Sequence, residues 1–212
     1  MLDVGACHGR AHAPFLGWDI YAFDADPENA KHITVHPGVK VFDIAISNFE
    51  HKSALFYRTP VSYGMSSLLP FLPSHEICRM VEVRRLDTLL PELGVSRVDY
   101  MKIDVEGHDL MVLQGFPWDT IQPKVVMCEF GNDKTELLDY TYEDLAEFML
   151  NLGYKVIVSE WVEAEYINGR YHHKWLGYFH YPPPPERAMY WGNLIFTNDD
   201  DFYQRFCKEA GL

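Results

Sequence analysis

Five short apolar runs in this sequence each carry a carboxylate at or near their end, and that repetition limits the folds open to the chain. Leu2 to Val4, carrying Asp3, runs straight into "GACHG"; a second run ends at Asp24, a third at Asp43, a fourth at Asp104 and Glu106, and a fifth at Glu129. Runs of this length, separated by turn residues and helical patterns, read as strands alternating with helices, the order of a largely parallel sheet. In an open sheet of that kind ligands bind beyond the carboxyl ends of the strands, so these acids are expected to gather along one edge. Gly5 and Gly9 bracket a tight loop at the end of the first strand. Glycine has no Cβ and accepts positive φ, which lets the main chain approach a ligand there.

Between these runs the expected elements follow short-range rules. "WDIYAFDADPENA" gives a strand from about Trp18 to Phe23, then a helix capped by Asp26 with Pro27 in its first turn. "VKVFDIAIS" reads as the third strand. "SALFYRTP" and "MVEVRRL" alternate like an antiparallel pair that interrupts the order. "VDYMKIDV" is followed by a helix from about His108 to Gln114 and by the strand "KVVMCEF". Thr141 caps a helix with Tyr142, Leu145, Phe148, Met149 and Leu152 on one face. "YKVIVS" and "WGNLIFT" supply later strands, and Asp199 caps a terminal helix.

The expectation is one α/β domain over 1–212, a mostly parallel seven-stranded sheet with helices on both faces. It carries an aromatic and proline-rich insertion at about 161–191, "WVEAEYINGRYHHKWLGYFHYPPPPERAMYW". That insertion reads either as a hairpin packing its rings on the sheet edge or as a wall of the substrate pocket. In the second case Tyr166, Tyr171, Trp175, Tyr178 and Tyr181 offer flat faces, and a homodimer contact is the other use for exposed rings.

Charge excludes some partners. The sequence holds 31 acids against 18 bases, a formal −13, and no basic run, which disfavours nucleic acid and anionic membrane. No apolar run approaches the roughly 20 residues of a spanning helix, and no leader pattern marks the chain for secretion. Cys7, Cys78, Cys128 and Cys207 lack paired metal-ligand spacing and read as reduced thiols of a cytoplasmic protein.

The acids also choose among cofactors. "GACHG" lacks the G-x-G-x-x-G spacing of a dinucleotide site, and a row of carboxylates repels phosphate. S-adenosylmethionine carries no phosphate; it offers a sulfonium, an ammonium and a ribose diol, all suited to carboxylates. On this reading Asp3, Gly5 and Gly9 form the cofactor loop, Asp24 accepts from the ribose, and Asp43 with Ala45 lies by the adenine. Ser66 and Ser67 read equally as contacts or as a plain turn. Asp104 is a cofactor contact and a candidate base, and His108 and Glu129 are the other candidate bases. Glu106 is the alternative brace for the following helix, and Lys102 is expected to pair with an acid. Asp104 with Glu129 and His108 is a conceivable Mg²⁺ set, but no metal is expected. His172, His173 and His180 have no ligand spacing and are assigned to the surface.

"LDVGACHG", "YAFDADPENA", "VEVRRLDTLL", "VDYMKIDVEGHDLMVLQG" and "PKVVMCEF" resemble, in order, the motifs of the FkbM family of methyltransferases. The resemblance implies a class I, Rossmann-like methyltransferase fold and S-adenosylmethionine-dependent O-methylation of a sugar, glycan or natural-product hydroxyl. The alternative is a cofactor-binding accessory or inactive protein of the same fold that needs a partner. Family members commonly have "FEP" where this chain has "FDA", so Asp24 holds the acid position with a shorter side chain. Members also carry helical sequence ahead of the first motif, and here the sequence starts at that motif. The covering role of those helices is therefore expected of the aromatic segment.

Overall fold

The computed structural model describes residues 1–212 except 16, 34–36, 61, 168–169 and 188, and at 63, 163–167 and 170–172 the backbone alone. The chain divides into two compact units, Met1–Pro123 and Lys124–Leu212.

The first unit holds strands β1 (Leu2–Val4), β2 (Ile20–Phe23), β3 (Val39–Phe42), β4 (Ala45–Ile46), β5 (His51–Thr59), β6 (Ser62–Ser67), β7 (Glu76–Arg84) and β8 (Tyr100–Ile103). Its helices are α1 (Pro27–His32), α2 (Leu86–Glu92) and α3 (Asp109–Gln114). Strands β8, β1, β2 and β3 lie side by side in that order, all parallel, with Leu2 facing both Tyr21 and Met101. β1 is central in this set, and its three residues are fully packed, as are Ile20, Ala22, Phe23, Met101 and Ile103. α1 starts as its sequence dictates: the Asp26 carboxylate accepts from the Glu28 N–H at 2.9 Å, and Pro27 opens the helix.

The other four strands form a separate sheet in the order β4, β7, β5, β6. The expected antiparallel pair is β5 with β7, in which Leu55 faces Met80. The third expected strand breaks after Phe42: β3 stays with the parallel set, whereas Ala45 and Ile46 pair with Val83 and Arg84 of β7. Ser67, read as a contact or a turn residue, ends strand β6.

The second unit holds β9 (Val125–Gly131), α4 (Asn132–Thr135), a 3₁₀ turn (Glu136–Leu138), α5 (Tyr142–Asn151), β10 (Lys155–Ile167), β11 (Arg170–His180), β12 (Trp191–Thr197) and α6 (Asp200–Ala210). Its strands run β11, β10, β12, β9 and are all antiparallel, with Ser159 facing Asn193 and Asn193 facing Glu129. The expectation of a mostly parallel seven-stranded sheet is corrected here. The fold is mixed α/β: the first unit has a parallel four-stranded set and a separate sheet with antiparallel pairs, and the strands of the second unit are antiparallel. The reason is connection length: β10 and β11 are joined by a short hairpin, and a parallel neighbour needs a crossover of a dozen residues or more.

Thr141 and Asp144 cap α5, the Thr141 N–H reaching the Asp144 carboxylate at 2.7 Å, and Leu145 and Met149 bury its inner face. Leu152 does not join that face; it lies beyond the last helical turn and is 38% exposed. Asp199 caps α6 by accepting from the Phe202 N–H at 2.9 Å. The four cysteines are free. Among the described residues no helix is long and apolar enough to cross a membrane.

Candidate functional site: a carboxylate-lined cleft in the first unit

A cleft opens at the carboxyl ends of β1, β2 and β8, lined there by Gly5, Asp24 and Asp104. Its opposite wall is apolar, built from Ile44, from Ala45 and Ile46 of β4, from Phe56 of β5 and from Leu68 just after β6. Every lining residue belongs to the first unit, and among the described residues none is a lysine or arginine.

Gly5 is required by packing as well as by conformation. Its φ is +74°, and a Cβ there would come within 1.7 Å of the Asp104 carbonyl oxygen. The ends of β1 and β8 are therefore closed on each other at the floor of the cleft. Gly9 (φ +73°) serves differently: it does not line the cleft, and a Cβ on it would meet the His12 ring at 2.8 Å. Asp3 also lies behind the loop, fully buried, with His12 Nδ1 at 2.6 Å and Lys102 Nζ at 3.7 Å.

Asp24 lines the cleft and is held by the loop. Its Oδ2 accepts from the Cys7 N–H at 2.7 Å and its Oδ1 from the Asp26 N–H at 2.8 Å. Burial nevertheless outweighs those two bonds and pushes its carboxyl up to about 7. Cys7 reaches this position in the left-handed region, at φ +49°. Asp26 turns the other way and takes a bidentate pair from Arg58 of β5, with the Ser66 hydroxyl at 3.2 Å. The second sheet thus fixes the β2 loop through Arg58 and Ser66.

Asp104 and Glu106 begin the turn into α3. Lys102 Nζ stands 3.2 Å from the Asp104 carboxylate, the pairing expected of it, and donates to the Gly5 carbonyl at 2.6 Å. Glu106 lines the cleft at φ +56°, and its carbonyl accepts from the Ser67 hydroxyl at 2.8 Å. His108 lines the cleft too. Burial pushes its imidazole down to about 4, so the ring is neutral at pH 7.

Asp43 is placed elsewhere. It follows β3, pairs with Arg79 at 3.0 Å and does not line the cleft, whereas Ala45 does. Glu129 belongs to the second unit, where Lys134 Nζ donates to it at 2.6 Å and Trp191 Nε1 at 2.8 Å. The aromatic segment supplies the end of β10, all of β11 and, at Trp191, the start of β12. Trp175 packs on Tyr178 at 5.0 Å, Tyr178 on Phe206 of α6 at 4.9 Å, and His173 on Trp191 at 4.7 Å. The side chains of Tyr166, Tyr171 and His172 lie outside the described residues. Phe56, Leu68, Arg58 and the Cys7 N–H were not identified from sequence, because only the pairing of distant strands brings them to this loop.

The cleft thus offers carboxylates and a neutral imidazole against an apolar wall. That donor set suits a nucleoside with cationic groups and no phosphate, and S-adenosylmethionine has those features. The family model of the Methyltransferase FkbM domain matches residues 3–156. No curated protein matches the chain.

Proposed function

The chain belongs to the FkbM methyltransferase family, and on that premise we propose that it is an S-adenosylmethionine-dependent O-methyltransferase. The observation that carries the reading is Asp24, a buried carboxylate fixed at a strand end beside Gly5 and opposite an apolar wall. In this role Asp24 accepts from the ribose hydroxyls, and Ala45, Phe56 and Leu68 pack against the purine. Asp104 presents negative charge to the cationic end of the cofactor. Bound S-adenosylmethionine supplies an activated methyl group.

With the donor activated in advance, the work of the protein is alignment and exclusion of water, and effective molarities from alignment reach ~10⁵–10⁸ M. A hydroxyl acceptor also has to lose a proton. Among the groups that line the cleft, Asp104 and His108 are the proposed recipients, His108 in its neutral form. The acceptor class we propose is a sugar, glycan or natural-product hydroxyl. The exposed face of Trp175 is a proposed homodimer contact of the second unit, and the four free cysteines support a cytoplasmic setting.

Calorimetric titration with S-adenosylhomocysteine tests the cofactor assignment: micromolar binding supports it, and no binding at millimolar ligand refutes it. Methyl uptake across a panel of sugars and polyketides then tests the acceptor class.

A further inference from the structure

Lys102 is almost wholly buried, yet it does not line the cleft. Its ammonium is held at one point by the Gly5 carbonyl at 2.6 Å, the Asp104 carboxylate at 3.2 Å and the Asp3 carboxylate at 3.7 Å. Asp3 is shared with His12, whose ring stands 2.6 Å from it. Of the two carboxylates beside Lys102, only Asp104 lines the cleft. A ligand in the cleft therefore meets a carboxylate with a counter-charge fixed close behind it.

That arrangement bears on a property particular to methyl transfer. The donor carries a positive sulfonium, and once the methyl has gone to the acceptor oxygen the sulfur is an uncharged thioether. The S–C electron pair stays on sulfur, and the hydroxyl proton passes to Asp104 or His108 and on to solvent. A negative cleft therefore favours donor over product, by an amount set by its net charge. Inside a protein, charges a few ångströms apart interact strongly enough for one counter-charge to alter that preference.

We propose that Lys102 is a positioning residue that acts through Asp104, partly neutralising it and so limiting how strongly the cleft prefers the cationic donor to the neutral product. The proposal rests on the reading of this cleft as the S-adenosylmethionine site. The same contacts anchor the Gly5 loop to the end of β8, so the charge is held in place whenever the loop is formed.

The test is the ratio of dissociation constants for S-adenosylhomocysteine and S-adenosylmethionine, measured by calorimetry on the full chain. Lys102→Met keeps the aliphatic stem and removes the charge, and the ratio should rise at least about threefold. Asp104→Asn removes a negative charge from the cleft, and the ratio should fall by a similar factor. The double variant should return towards the wild-type ratio. A loop that is only loosened weakens both ligands alike, so an unchanged ratio in Lys102→Met overturns the proposal and leaves the cofactor reading intact. If Lys102→Met does not fold, Lys102→Gln, which also removes the charge, is read by the same ratio and decides the matter. If the wild-type chain binds neither ligand, the cofactor reading fails and the proposal fails with it.

Discussion

Asp24 and His108 line one cleft but are displaced by burial in opposite directions from their ordinary values, 3.8 and 6.5. The Asp24 carboxyl is raised to about 7, so its contribution to stability is present below about pH 3.8 and lost as the pH rises through 7. The His108 imidazole is lowered to about 4, so its contribution is present above pH 6.5 and lost as the pH falls through 4. Between pH 4 and 6.5 the two slopes oppose each other. Asp24→Asn removes one of them, and its stability relative to wild type should rise by about 4 kcal/mol from pH 4 to pH 7, at about 1.4 kcal/mol per unit. Denaturant titrations of both proteins at several pH values measure this, and a difference independent of pH contradicts it. Ligand binding gives a second check. Ribose hydroxyls donate to the ionised carboxylate, so affinity for S-adenosylhomocysteine should climb as the pH passes through 7. Asp24→Ala should cost about 1–3 kcal/mol of that affinity.

At the scale of elements, the junction of β1 and β8 is where substitution is least tolerated. Gly5→Ala places a Cβ 1.7 Å from the Asp104 carbonyl at a φ of +74°, and the strands have to separate to admit it. Loss of cofactor binding with a lowered melting temperature is the expected outcome, and near-wild-type affinity speaks against the junction as the floor of the cleft. Elements governed by neighbouring residues were legible in the sequence: the Asp26–Pro27 start of α1, the Thr141–Asp144 start of α5, and β12 from Trp191 to Thr197. Elements governed by distant partners were not. "VKVFDIAIS" is rich in apolar and β-branched residues throughout, and nothing within it announces that Ala45 pairs with Val83 while Phe42 pairs with Phe23. Ser62–Ser67 contains too few β-branched and apolar residues to read as a strand. The candidate site divides in the same way: Asp24 follows from strand ends alone, whereas the departure of Asp43 depends on Arg79, thirty-six residues away.

For the molecule as a whole, the cleft draws its lining from the first unit alone, although the family match runs on to residue 156. Damage confined to the second unit should then spare cofactor affinity. Phe206→Ala removes the ring that meets Tyr178, and Asp199→Ala removes the cap of α6, worth about 1 kcal/mol. Both should lower the melting temperature, with S-adenosylhomocysteine affinity within about twofold of wild type. A parallel fall in affinity shows that the cleft depends on the second unit.

The position of β12 bears on how the second unit comes into being on the ribosome. β12 lies between β9 and β10, yet it is the last strand to leave the exit tunnel. The β10–β11 hairpin closes through local contacts as it emerges, while β9 and one edge of β10 wait for residues 191–197 to be synthesised. At about 5–20 residues per second, the sixty residues from Gly131 to Trp191 take several seconds to make. Through that interval the nascent chain carries unpaired strand edges open to chaperones and to neighbouring polypeptides.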